Sequence, residues 1–144
     1  MFRISSLIRS CKGSVMAEAA LIIPMLVGVT FFIIEFGNVL YLANSLNQIS
    51  RTAARYASVT PTYTQQDLIN VSGAMTLLPD VSKLTLTINP APGAAKTVGA
   101  TLTVTVQYAY TPIINPFGLL MSGQAWAPTI MSASVSRAEV SSAS

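Results

Sequence analysis

Apolar residues dominate from Ala19 to Ile34, where AALIIPMLVGVTFFII is interrupted only by Pro24, Gly28 and Thr30 before Glu35. FGNVLYLA then extends the run to Ala43. A helix needs about 20 apolar residues to cross a bilayer, so residues 17 to 37 fit one transmembrane crossing. Glu18 and Glu35 lie 17 residues apart, about 25 Å along a helix, which sets each near one membrane interface rather than at the costly centre. Pro24 cannot donate to the carbonyl of Ala20, so a bend or loosening of the helix is expected there. Gly28 has no small partner at position 32, which is Phe, and is read as neutral.

Beyond the span the spacing stays helical but becomes one-sided. Val39, Leu42, Leu46, Ile49, Ala53 and Tyr56 recur every three or four residues, which predicts an amphipathic helix continuing from the span with its stripe against a sheet. Arg51 and Arg55 share the opposite face. The helix should stop near Ser58, since Pro61 disfavours helix in the residue before it. A short helix from about Gln65 to Leu78 follows, weakened by Gly73 and closed by Pro79-Asp80. The period then changes to two. Leu84, Leu86 and Ile88 alternate with Lys83, Thr85 and Thr87, and Leu102, Val104, Val106, Tyr108 and Tyr110 alternate with Thr101, Thr103, Thr105 and Gln107. Asn89 to Gly93 begins a loop between them. A third run, Ile130 to Val140, alternates Met131, Ala133, Val135 and Arg137 against serines, with Arg137 and Glu139 placed for a surface ion pair. The connection from Thr111 to Pro128 holds an unusually apolar stretch, Ile113 to Met121, which is expected to fold over the sheet edge, a partner contact being the alternative; Trp126 follows it. The expected fold is α+β: a long N-terminal helix, a short helix and a small three-stranded antiparallel sheet. Three regions follow: a leader at 1–13, a transmembrane and amphipathic helix at 14–58, and a small external domain at 59–144.

Composition narrows the function classes. Of 144 residues, 51% are hydrophobic and only 9% charged, with a mean hydropathy of +0.57, far less charge than the roughly 25% of an ordinary soluble domain. With no histidine, one cysteine (Cys11) and five scattered acids, the chain lacks material for a zinc site, a Ser/His/Asp triad or a Cys/His pair. A membrane-tethered hydrolase would need a base for its serines, and Asp67, Asp80 and Glu139 are isolated. No enzyme activity, cofactor or metal is expected. The pI of about 9.3 reflects eight Lys/Arg against five Asp/Glu, and no stretch past the first dozen residues is markedly basic, so nucleic acid is not an expected partner. Membrane lipid is.

Arg3, Arg9 and Lys12 precede the apolar run without an acid, which holds the start of the chain on the cytoplasmic side. An ordinary secretory signal has an apolar core of about 7–15 residues and a small-x-small exit; here the core is longer, Glu18 stands at its mouth, and the only exit is a weak Ala43-Asn44-Ser45. That alternative would release a soluble binding module starting near residue 46. A lipoprotein signal is ruled out because Cys11 precedes the apolar core.

Gly13, then Ser14 to Ala17, then Glu18 and an apolar helix resembles the processing site of type IV pilin precursors, cut after the glycine by a prepilin peptidase. The longer run GSVMAEAALIIPMLVGVTFFIIEFGNVLY is similar to the TadE-like family, pilin-like proteins of the tight-adherence (Flp) pilus machinery. The residues that carry the likeness are Glu18 to Ala20, the Ile23-Pro24 step and the Glu35-Phe36-Gly37 exit, with SASVSRAEV, residues 132 to 140, resembling the family's closing segment. Major Flp pilins have tyrosine after the glutamate; Ala19 here favours a minor component. The resemblance implies a pilin-like fold, cleavage between Gly13 and Ser14, and an assembly role for Glu18, with Pro24, Glu35, Phe36 and Gly37 shaping the helix and its exit. It also implies as partners a prepilin peptidase, other pilin-like subunits, and an inner-membrane assembly platform with its ATPase. The expected location is a bacterial inner membrane, crossed once, N-terminus inside.

Elementary electrostatics supports the same positions. Cleavage after Gly13 exposes the amine of Ser14, with a pKa near 8, four residues and so one helical turn from Glu18. The carboxylate can neutralise that amine on its own chain or on a neighbour, which favours side-by-side packing of related helices. An acid capping the helix dipole without a partner is the competing account. Glu35, near the external interface, is expected to stay within reach of water.

Overall fold

The computed structural model describes residues 5–113 and 127–142, with side chains described from residue 13 onward. Helix α1 runs unbroken from Ser5 to Val59, 55 residues or about 80 Å, and continues through Pro24. Its two halves differ in surroundings. Every residue from Gly13 to Ile34 is exposed, including Leu21, Met25 and Phe32 at 75%, 70% and 66%. From Glu35 onward one face turns inward: Leu42, Leu46, Ile49, Ala53 and Ala57 are buried, flanked by the partly buried Val39 and Tyr56. This is the stripe predicted from the spacing.

Helix α2 spans Gln65–Val71 and α3 spans Ala74–Leu77. The single helix expected over this stretch is split at Gly73, which adopts φ 74°, a left-handed conformation that glycine takes without steric cost and that ends one helix before the next. Thr64 and Asp67 form a reciprocal cap on α2: the Thr64 hydroxyl accepts from the Asp67 amide, and the Asp67 carboxylate accepts from the Thr64 amide at 2.9 Å. A 3-10 turn at Val81–Lys83, capped by Asp80, leads into the sheet.

Strands β1 (Leu84–Asn89), β2 (Thr101–Ala109) and β3 (Thr129–Arg137) form an antiparallel sheet in sequence order. Leu86 faces Val106 across the first pair, and Val104 faces Ser134 across the second. The peptide between Asn89 and Pro90, at the end of β1, is cis. Leu86, Ile88, Leu102, Val104, Val106, Tyr108 and Tyr110 bury the face turned to α1, and Leu68 and Leu78 close the side. Gln65 of α2 donates to the Leu86 carbonyl at 2.8 Å and so covers part of the free edge of β1.

Hydropathy alone would turn Met131, Ala133 and Val135 of β3 inward. The structure turns the serines inward instead: Ser132 is buried, while Met131 and Val135 are 60% and 65% exposed. Small hydroxyls let the helix lie close and give its polar groups partners. Ser132 donates to Asn47 at 2.7 Å and shares a hydrogen bond with Ser50 at 3.1 Å, and Ser136 donates to the Ala54 carbonyl at 2.9 Å. β3 ends at Arg137, and Glu139 lies past it with its amide bonded to the Ser58 carbonyl at 2.8 Å. The expected Arg137–Glu139 ion pair is not formed; Lys83–Asp80, at 4.0 Å, is the ion pair found among the described residues. The apolar stretch expected to cover the sheet edge lies, past Ile113, outside the described residues, as does Trp126.

Candidate assembly site on the long helix

Gly13, Ser14 and Glu18 all lie on α1, exposed, in a continuous helix. A side chain added at Gly13 would meet nothing within 4 Å, so the packing of this chain does not require glycine at this position. The four-residue offset puts Ser14 and Glu18 on one helical face, one turn apart. Through the apolar half, Thr30 returns its hydroxyl to the Leu26 carbonyl at 2.9 Å and so leaves no unpaired donor hydrogen. Phe32 and Phe36 stack along the exposed face with ring centroids 6.1 Å apart. The space beside Gly28 and Gly37 is open.

The Glu35-Phe36-Gly37 exit divides by direction. Phe36 is 53% exposed, whereas Glu35 is 6% exposed and turned into the domain. Water was expected to reach Glu35; instead the Tyr110 hydroxyl donates to its Oε1 at 2.5 Å, and its Oε2 is buried without a hydrogen-bond partner among the described residues. Burial first, and the bond to Glu35 second, push the Tyr110 phenol up to about 12. Tyr110 is itself buried, and its amide donates to the Pro128 carbonyl at 3.1 Å, which ties the end of β2 to the approach of β3. The sequence reading placed Tyr110 in the core face of a strand. It did not foresee that the last residue of an apolar alternation would carry a hydroxyl to the helix exit.

The far end of α1 is fixed by a second residue the sequence did not single out. Lys96, 4% exposed, donates from Nζ to the Ala57 carbonyl at 2.8 Å and the Thr60 carbonyl at 2.6 Å, and lies 5.4 Å from the Tyr63 ring centroid. The last carbonyls of a helix have no partner within it, and a cation there also faces the negative end of the dipole. Burial pulls the Lys96 ammonium below its ordinary range.

A helix with one half packed on a domain and the other half wholly outside it is also where the likeness to known proteins lies. The family model described as TadE-like protein matches residues 13–55, beginning at Gly13 and ending four residues before α1 does. Residues 13–55 are similar to the TadE-like family. The matched segment contains Gly13, Ser14, Glu18, Pro24 and the Glu35-Phe36-Gly37 exit, and it associates the chain with tight-adherence pilus systems. No curated protein and no solved structure matches the chain. Within the TadE-like segment the apolar half is long and hydrophobic enough to cross a membrane, and the other half supplies the core stripe of the α+β domain.

Next to the exit lies a groove of about 530 Å³ between α1, the α3 to Lys83 segment and the end of β2. Asn38, Tyr41, Leu77, Lys83, Tyr108 and Thr111 are on its walls. Lys83 donates to the Thr111 hydroxyl at 2.7 Å, and Tyr41 donates to the Leu77 carbonyl at 3.3 Å.

Proposed function

We propose that the chain is a minor pilin or pseudopilin, a non-enzymatic structural subunit anchored in the bacterial inner membrane and used to assemble a tight-adherence pilus. The observation that carries this reading is the unbroken α1, whose TadE-like segment leaves residues 13–34 outside the fold while residues 35–57 build its core. An apolar half of that length has two stable surroundings, a bilayer and the helices of neighbouring subunits, and a pilin-like subunit moves between them. In this reading a prepilin peptidase cuts after Gly13, Glu18 neutralises the freed amine of Ser14, and an assembly platform with its ATPase draws the subunit towards other pilin-like subunits.

Release by an ordinary signal peptidase fits the fold poorly. A cut after the weak Ala43-Asn44-Ser45 exit would remove the buried Leu42, take Glu35 from Tyr110, and start the mature chain at the fully buried Leu46.

The test is crosslinking of the chain to pilus assembly subunits in membranes, with Glu18→Ala and Glu35→Gln compared at equal membrane levels. Glu18→Ala should insert normally and lose most of its crosslinks, because the amine loses its counter-charge. Glu35→Gln retains an oxygen for Tyr110 and should crosslink like the unmodified chain. Undiminished crosslinking of Glu18→Ala would refute the charge-pairing role.

A further inference from the structure

The groove beside the helix exit holds charges of both signs at the level where a lipid headgroup would sit. Resting on the membrane-anchor reading above, we propose that this groove binds one bilayer phospholipid through a headgroup that carries both a phosphate and a primary ammonium, as phosphatidylethanolamine does.

Position is the first argument. Tyr110 holds the end of β2 to Glu35, where the apolar span ends, and the groove begins one turn further on at Asn38 and continues to Leu42. On a helix that is about 4–10 Å beyond Glu35, and the headgroup layer adds about 5–7 Å to each side of the hydrocarbon core. The mouth of the groove therefore meets headgroups, not acyl chains or bulk water.

Chemistry is the second. Lys83 and Asp80 stand 4.0 Å apart, both substantially exposed, a loose pair that a zwitterion can separate and satisfy. Lys83 donates to Thr111 at 2.7 Å, and among the described residues the remaining ammonium protons and the Thr111 hydroxyl proton are left for a phosphate. Asp80 uses Oδ1 to hold the Ser82 amide at 3.0 Å and its hydroxyl at 2.6 Å, while Oδ2 faces Lys83 and is placed to accept from an ammonium. A headgroup with phosphate alone would meet the Asp80 carboxylate. A quaternary ammonium would bring no proton for it to accept. A primary ammonium beside a phosphate answers both charges with charge-assisted hydrogen bonds. The floor is apolar, with Leu42, Leu77 and Leu78, and Ile113 at the rim is 72% exposed, so glycerol and the first methylenes have a surface to lie on.

The experiment takes the full chain reconstituted in vesicles of equal phosphatidylethanolamine, phosphatidylglycerol and phosphatidylcholine, confirms insertion by resistance to alkaline extraction, and reads retained lipid by native mass spectrometry after transfer to mild detergent. One ethanolamine lipid should be retained about tenfold over either competitor, the ratio given by one well-placed charged hydrogen bond. Lys83→Ala and Asp80→Asn should each reduce that preference to parity, with the secondary structure of both variants checked by circular dichroism; Asn retains an oxygen for the Ser82 amide. Equal retention of all three lipids, a preference for the glycerol headgroup, or a second copy of the chain in place of lipid overturns the proposal while leaving the anchor intact. A chain extracted by alkali overturns both, so the two failures are distinguishable.

Discussion

Tyr110 and Glu35, 75 residues apart in sequence, meet in a buried hydrogen bond that joins the last turn of the apolar span to the end of the central strand. The contact sets where the α+β domain sits on the long helix. Without it the domain would be held to α1 only from Val39 onward, one turn further from the apolar half.

Removing the hydroxyl should therefore weaken the domain where it joins the apolar half of α1. Tyr110→Phe leaves both oxygens of a buried carboxyl group without a donor among the described residues, and should cost about 1–3 kcal/mol. The measurement is urea-dependent protease resistance of the full chain in detergent. Glu35→Gln should lose less than Tyr110→Phe, and an equal or larger loss would show that the carboxylate has a further role.

Alkaline titration gives an independent reading of the same contact. The Tyr110 phenol is raised from its ordinary 10.0 to about 12, so the folded state holds its proton more tightly than the unfolded state. The stability from this difference is fully present below pH 10 and is lost as pH rises towards 12. Tyr63 and Tyr108 shift in the same direction, while Lys96 shifts downward and contributes with the opposite sign. Tyr110→Phe should accordingly remove part of the alkaline loss and leave the profile below pH 9 parallel to that of the unmodified chain.

Lys96→Met keeps the length of the side chain and removes its donors. The carbonyls of Ala57 and Thr60 would lose their partner, and a loss of about 2 kcal/mol is expected in the same assay. The apolar half of α1 should insert into membranes as before, because Lys96 touches only the far end of the helix.

The face of β3 is tested by an inverted pair. Ser132→Val adds apolar volume at a buried site and deprives Asn47 and Ser50 of a partner, so it should destabilise by about 1–3 kcal/mol despite being the more hydrophobic residue. Met131→Ser, one residue away on the exposed face, should change stability by no more than about 0.5 kcal/mol. The reverse ranking would place the strand the other way round.

Elements with a regular period were legible in the sequence. The 3.6-residue stripe of Leu42, Leu46, Ile49 and Ala53 and the two-residue alternation of Leu102 to Tyr110 each name one buried face, because burial depends only on which side chains a helix or strand turns the same way. The same reasoning points the wrong way on β3, where Met131 and Val135 are the more apolar set and the choice of face was decided by hydroxyl partners on α1 rather than by hydropathy. It set Glu35 in reach of water because nothing local reveals a tyrosine 75 residues away. It passed over Lys96, since a lone lysine in a loop reads as solvated until a helix end is brought to it. Gly13 and Glu18 came from motif and resemblance, and the fold places them on one exposed helix without giving either a packing role.

Processing at the start of that helix separates the accounts most directly. Gly13→Ala should leave a membrane-inserted chain of precursor size, since the apolar span is untouched while the residue before the cut is changed. A reporter active only outside the cytoplasm, fused after Ser144, should remain active in both forms.

The decisive measurement is the N-terminal sequence of the mature protein recovered from membranes. A pilin-like subunit cut after Gly13 begins Ser14-Val15-Met16-Ala17-Glu18, with the new amine one turn from its carboxylate. A mature chain beginning near residue 46, free of the membrane, would contradict the account and make the protein an exported module.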